Sequence, residues 1–543
     1  MINSLILLFS FFLPLLPLLF LSFPSRSTKL IHGGIRYLES AFKNLDKGMY
    51  DLVSEALAER AHLLNAAPYM AKPMPILIPI YTWWEIPYMW IGAKVYDLIA
   101  GERRVVPASY FVNADEAHFQ FPMLKMDNLK GGIVYYDGMH NDTRMNLMIA
   151  LTASQTGAAI ANYVGVTGIV KDEEGQASGV TVKDERTGKN FTIRARGVIN
   201  ATGCFGDAIR TMDDPNAPNL IMGAAGVHIV LPEHFSPDTM GLIVPKTSDG
   251  RVLFFLPWEG STICGTTDSP CELSMTPRPT NDDVAFILEE SNKFLASPIK
   301  REDVKSAWSG IRPLIRDPKK MKDGAKTSQL SRSHVVDISD SGLISILGGK
   351  WTTYRKMAEE AIDALAASQK KKHSNTLNPL GAFPSVGPSI TSKMQVLGAD
   401  RAGIVINKKF DRIPVTLRHD YGLAKDVSKH LLINYGTRAL QVAELVRVHP
   451  ELGKRLNSLY PVLAAEVVFA CEQEYAETII DVLARRTRLA FLDTDVARSV
   501  VTEVGSLMAK SKGWSKSIKE AEEKKALDFL LTMHAPQHFV PGN

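Results

Sequence analysis

The sequence predicts an α/β protein with an antiparallel substrate sheet, followed by a C-terminal all-helical domain. Three observations predict it. An apolar run enters Ala-Thr-Gly in "GVINATG" (197–203), where small residues let backbone approach a bound group. In "GLISILGGKWTTYRKMAEEAIDALAAS" (342–368) a β-rich run ends at Gly348-Gly349 and an amphipathic helix follows. Such a strand, glycine turn and helix N-terminus binds anions, or is simply a tight βα turn. Beyond residue 389 the β signal fades and helical periodicity takes over, as in "GTRALQVAELVRV" and "LAAEVVFACEQEYAETIIDVLARR".

The elements follow in order. Residues 2–23 are apolar apart from Asn3, Ser4, Ser10, Pro14, Pro17 and Ser22. That length approaches the roughly 20 residues a membrane span needs, but internal prolines weaken a straight helix. Residues 1–24 are therefore read as a hydrophobic lead: an anchor, a signal or a non-native start. "LVSEALAERAHLLNA" (52–66) has helical spacing. "PMPILIPIYTWWEIPYMWIGAKVYDLIAG" (73–101) is rich in aromatics and prolines, which suits either a buried wall or a membrane-facing plateau. "NLMIALTASQTG" reads as a helix stopped by Gly157, and "SGVTVKDERTGKNFTIRA" as a hairpin around Thr187-Gly188. Four β-like runs between Val227 and Thr267 form the antiparallel substrate floor. Residues 25–368 thus make one domain, 369–395 a charged then Pro/Gly/Ser-rich linker, and 396–543 the helical domain.

Composition narrows the classes. Lys+Arg 62 against Asp+Glu 58 leaves a net charge of +4, too small a field to argue for nucleic acid. The four cysteines show no CxxC spacing, so a disulfide framework or zinc site is not expected, and a reducing compartment fits. No metal motif is present.

Several strings then align: "STKLIHGGIRYLE", "GGIVYYDGMHNDTRMNL", "VINATG", "GVHIVLP", "DGRVLFFLPW", "TICGTTD", "AWSGIRPL", "LSRSHVVD" and "LGGKWTTYRKMAE". In content and order they resemble the FAD-dependent, quinone-linked glycerol-3-phosphate dehydrogenases, from about Ser27 to "LARRTRLAFLD". The resemblance implies an FAD-binding amino-acid-oxidase-like fold. It implies oxidation of sn-glycerol 3-phosphate to dihydroxyacetone phosphate, with ubiquinone as acceptor, at the mitochondrial inner membrane surface. It leaves the oligomer question open. That fold normally opens on a βαβ unit carrying G-x-G-x-x-G, and no such fingerprint occurs here. The expectation is an unpaired sheet edge and weak or no FAD binding.

The same resemblance implies site residues. Arg36, Tyr37 and Arg332 would take the phosphate, since a guanidinium fork makes two charge-assisted bonds at once. Thr266 would bond the substrate hydroxyl or a flavin oxygen. His228 is the candidate proton acceptor, its imidazole titrating near neutral pH, or else a packed strand histidine. Arg312 and Lys350 would offset negative charge on the reduced cofactor. Ser27, Thr28, Lys29, His32, Gly33 and Gly34, then Ala201, Thr202 and Gly203, then Gly348, Gly349, Trp351 and Thr352 would line FAD. Two alternatives remain: an amine-oxidising flavoprotein of the same fold, and a flavin-free membrane-tethered scaffold or pseudoenzyme.

Overall fold

The structure, a computed structural model, describes residues 6–9, 24–34, 47–244, 247–248, 250–316, 333–372, 387–399 and 406–533. Arg36, Tyr37 and Arg332 lie outside the described residues, as do most of the lead and of the linker.

Among the described residues, one sheet has the order Ile6–Phe9, Val198–Ala201, Ile344–Gly348, His334–Ile338. The first three strands run parallel and the last antiparallel. Ile199, Ile344 and Ile346 bury against Ala361 and Leu365 of the helix Tyr354–Lys372. Parallel strands are covered on both faces, which is why "VINA" and "ISIL" are mostly apolar; their buried Asn200 and Ser345 hydrogen-bond each other at 3.0 Å. The open edge expected beside Val198–Ala201 is occupied: Ile6–Phe9 pairs along it from Ile6 opposite Val198. The physical reason is general, since a short apolar β-prone run satisfies edge amides and carbonyls whatever its origin. No helix of the described residues is long and apolar enough to cross a membrane.

The second sheet is larger. Its path runs Ser269–Pro270, Ile221–Pro232, Ser261–Gly265, Leu253–Trp258, Gly241–Val244, Lys72–Ile80, Gly131–Met139, Leu30–Ile31. Ser306–Ile315 adds to the other side of Ile221–Pro232. The pairing is antiparallel throughout except between Gly241–Val244 and Lys72–Ile80. The expected hairpin is present as Ala177–Asp184 and Asn190–Arg194.

Residues 73–101 are part buried and part exposed. Ile76 to Ile80 are buried in the strand Lys72–Ile80, whereas Trp83 and Trp84 are 69% and 68% exposed at the start of the helix Glu85–Ala100. The helix Tyr354–Lys372 continues four residues into the expected linker, because Gln and Lys are good helix formers. The C-terminal region is helical, from Ile406–His419 to Lys516–Leu530. Its apolar residues join those of the first domain in one core that includes Leu30, Tyr69, Tyr96, Tyr435, Phe469 and Met533. A shared core makes the joint between the domains rigid.

Candidate active site

Three pieces of chain meet. Strand pairing builds the first. His228 lies opposite Trp308, Gly226 opposite Gly310, and Ala224 opposite Arg312. Side chains two residues apart share a sheet face, so His228, Trp308 and Arg312 project to one side. The imidazole stacks on the Trp308 indole, centroids 4.4 Å apart and planes at 16°. Gly226 leaves room for the Arg312 guanidinium, which lies 2.5 Å from where a Cβ would stand. Arg312 donates to Thr266 Oγ1 at 3.1 Å, to the Thr267 carbonyl and to Asp268 Oδ1 at 3.1 Å. His228 is buried, and its pKa lies well below the usual imidazole value, first through burial and then through the charges of Lys29 and Arg312. It is therefore neutral at physiological pH.

The second piece is the turn at 25–29, entering the strand Leu30–Ile31. Thr28 Oγ1 hydrogen-bonds His228 Nε2 at 3.0 Å. Ser27 donates through N and Oγ to Asp142 Oδ2 at 3.1 and 2.8 Å. Lys29 Nζ donates to the same Oδ2 at 2.7 Å and to the carbonyls of Ser25 and Ser27. Lys29 is wholly buried beneath Trp308, its ammonium 4.7 Å from that ring's centroid. Burial, against the pull of Asp142, lowers its pKa from the ordinary lysine value. Gly33 N donates to Tyr96 Oη at 2.9 Å, and a Cβ there would stand 2.7 Å from both that oxygen and Leu57 Cδ2. Tyr96 Oη passes its proton bond to Asp137 Oδ1, which Arg60 also holds, both at 2.7 Å.

The third piece sits at the carboxyl ends of the parallel strands. Ala201 ends one strand, with Thr202 and Gly203 after it; Gly348 ends its neighbour, with Gly349 and Lys350 after it. Gly203, Gly348 and Gly349 have φ of +60°, +73° and +82°, conformations open to glycine. One turn of 3₁₀-helix, Trp351–Thr353, precedes the helix Tyr354–Lys372. Thr352 Oγ1 reaches the His32 carbonyl at 3.3 Å, so the "HGG" segment and the "GGKWTT" turn touch.

The arrangement fits a flavin at this junction. Two glycine turns lie at the carboxyl ends of neighbouring parallel strands, where such sheets take ligands; the Gly348-Gly349 turn packs against Ile315 and Met357. A Cβ on Gly203 would meet nothing within 4 Å. His140 also lies here, edge-on to Trp351 with centroids 5.1 Å apart, and neither of its ring nitrogens has a partner among the described residues. Buried polar atoms are normally satisfied, so this imidazole is open to a partner beyond the described side chains.

Sequence reading missed Asp142, His140, Trp308 and Arg488. Asp142 and His140 stand inside the quoted "GMHNDTRMNL", and Trp308 inside "AWSGIRPL", yet their partners are distant. Arg488 donates to the Ser25 carbonyl at 2.8 Å across 463 residues, a contact no local pattern announces.

Known proteins share this architecture. The model of the FAD dependent oxidoreductases matches residues 24–355, and that of the C-terminal domain of alpha-glycerophosphate oxidase matches 389–519. The mitochondrial glycerol-3-phosphate dehydrogenase of Mus musculus is 47% identical over 520 residues, covering 93% of this chain and 68% of the relative. That of Arabidopsis thaliana is 41% identical over 526 residues, covering 95% and 81%. The structure of the Bacillus halodurans glycerol-3-phosphate dehydrogenase complexed with FAD superposes with a TM-score of 0.73 at 27% identity, covering 96% of this chain and 89% of that one. Matched across both domains, the chain belongs to the FAD-dependent glycerol-3-phosphate dehydrogenases.

Proposed function

We propose that this chain oxidises sn-glycerol 3-phosphate to dihydroxyacetone phosphate with FAD and passes the electrons to ubiquinone at the mitochondrial inner membrane. The observation that carries the reading is the convergence of neutral His228, Thr266 and Arg312 beside the glycine turns, in a chain so similar to enzymes named for this reaction. FAD, when bound, supplies the hydride acceptor. The protein's own part is to bind, orient and move one proton. Kept neutral and fixed at Nε2 by the Thr28 bond, His228 takes the C2 hydroxyl proton through Nδ1, which has no partner among the described residues. Thr266, held by Arg312, orients that hydroxyl. Arg312 and Lys350 bring positive charge to a site that gains negative charge during transfer. Arg36, Arg332 and Tyr37 hold the phosphate. His32, Gly33, Gly34, Ala201, Thr202, Gly203, Gly348, Gly349, Trp351 and Thr352 line the cofactor, with Ser27, Thr28 and Lys29 behind them.

Membrane contact is supported by the exposed Trp83, Trp84, Trp90, Ile91 and Leu98, with Lys130 and Lys94 set over Trp83 and Trp90. Aromatic rings beside lysines suit the headgroup zone, and the same plateau offers ubiquinone an approach. The test is flavin content and glycerol-3-phosphate-dependent dye reduction of the purified chain with FAD added. Activity that falls at Arg36→Ala and Arg332→Ala through a raised KM supports the reading. A colourless, inactive protein, or unchanged KM in both variants, refutes it. Co-sedimentation with anionic vesicles that survives Trp83→Ser with Trp84→Ser would remove the plateau from the account.

A further inference from the structure

We propose that Asp142 and Arg488 are positioning residues for the reaction, so that the C-terminal helical domain completes the reaction centre by holding the 25–29 turn with Thr28 on His228. The proposal rests on the reading of His228 as proton acceptor.

The turn needs outside support. Lys29 has φ +69°, a left-handed conformation that a lysine adopts at a cost. Besides the turn's own bonds, from Lys29 to Ser25 and Ser27, its supports come from distant chain. Asp142 Oδ2 accepts three bonds from the turn: Ser27 N, Ser27 Oγ and Lys29 Nζ. Arg488 lies 3.4 Å from Asp142 Oδ1 and donates to the Ser25 carbonyl at 2.8 Å. Its other nitrogen donates to Thr143 Oγ1 and the Ala484 carbonyl, and its guanidinium lies 4.1 Å from the Phe491 ring centroid. Thr28 stands between two tethered residues. Its direction is therefore set by bonds it does not make, and the bond it makes is to His228 Nε2.

The charges explain why the tether is stiff. Lys29, Asp142 and Arg488 side chains are each 0% exposed, so no water screens them. Burial would raise the Asp142 pKa, but the two cations outweigh it and the carboxylate stays ionised. Asp142 also opens the helix Asp142–Gln155, whose N-terminal end favours a carboxylate. Buried ion clusters are poor stabilisers, because desolvation offsets their attraction. What such a cluster does supply is one fixed geometry. Misplacing a reacting group by an ångström costs roughly hundredfold in rate. The charged groups acting on His228 are Lys29, Arg312 and Asp142, and two of these three belong to the tether or its anchor.

The experiment compares the full chain with Asp142→Asn, Arg488→Lys and the milder Ser27→Ala. One readout needs neither substrate nor flavin: carbethoxylation of each histidine by diethyl pyrocarbonate, followed by peptide mass spectrometry. Release of the turn uncovers Nε2, so His228 should react about tenfold faster in the variants, the factor that goes with losing one hydrogen bond. Buried His430, paired with Glu466 in the helical domain, should keep its slow rate. The second readout is kinetic: kcat should fall roughly hundredfold in Asp142→Asn while KM stays within about threefold. An unchanged His228 rate in all three variants overturns the proposal, and so does equal acceleration of His228 and His430, which would mean general loosening. If the wild-type chain oxidises nothing, the proposed activity fails, while the histidine rates still decide whether the tether exists.

Discussion

Replacing His140 with leucine should flatten the acid side of the stability profile. The imidazole is 3% exposed, and neither ring nitrogen has a partner among the described residues. Burial, with Asp142 pulling up and Lys29 pushing down, lowers its pKa from 6.5 to about 4. The folded protein therefore binds fewer protons than the unfolded chain at acid pH. Stability from this residue is complete above pH 7 and is lost as pH falls from about 6.5 towards 4. At about 1.4 kcal/mol per pH decade the whole window is worth about 3 kcal/mol, and the step from pH 7 to pH 5 about 2 kcal/mol. His228, also lowered, remains in both proteins and cancels. His430 has the opposite sign: burial would lower it, but Glu466 raises it, and it cancels too. Urea unfolding followed by tryptophan fluorescence at pH 7 and pH 5 measures the difference. The wild type should lose about 2 kcal/mol more than His140→Leu over that step. At pH 7 the variant should be no less stable, since two nitrogens without a partner among the described residues leave the core. Equal losses in the two proteins, within about 0.5 kcal/mol, would refute the argument.

Three other outcomes are expected. Gly348→Ala places a Cβ 2.6 Å from Ile315 Cγ1 at φ +73°, so a loss of about 1–2 kcal/mol should appear as a lower melting temperature together with reduced flavin retention. Glu474 is held by Arg144 at 2.6 and 3.0 Å and by Arg438 at 2.7 Å, across the domain joint. Glu474→Gln leaves two buried cations without their anion, at a cost of about 3–5 kcal/mol; a melting temperature within a degree of wild type would contradict this. Arg312→Met should lower kcat by roughly 10²–10³ without loss of fold, as removal of a preorganised charge does, measured by dye-coupled turnover beside circular dichroism.

Much of this was legible in the chain, for a physical reason. Strand and helix periodicity are local, so "VINA", "ISILGG" and the amphipathic run after "GGKWTT" announced the parallel strands, their glycine turns and the helix that covers them. Glycine at positive φ is a local demand as well, which is why Gly348 and Gly349 could be picked out. Motif order carried the family. By contrast, the hydrophobicity of the lead said that it avoids water but not where it pairs. The strand Ile6–Phe9 beside Val198–Ala201 is a property of the sheet edge, not of the run.

The site divides along the same line. The sequence, through its family resemblance, proposed residue types for the chemistry: an imidazole at 228, cations at 312 and 350, a hydroxyl at 266. Only tertiary structure decided their state. The sheet register put Trp308 against His228, burial and the nearby cations made that ring neutral, and Asp142 and Arg488 locked the turn that carries Thr28. Protonation and orientation depend on every charge and surface within a few ångströms. Those neighbours arrive from hundreds of residues away, so they exist only once the chain has folded.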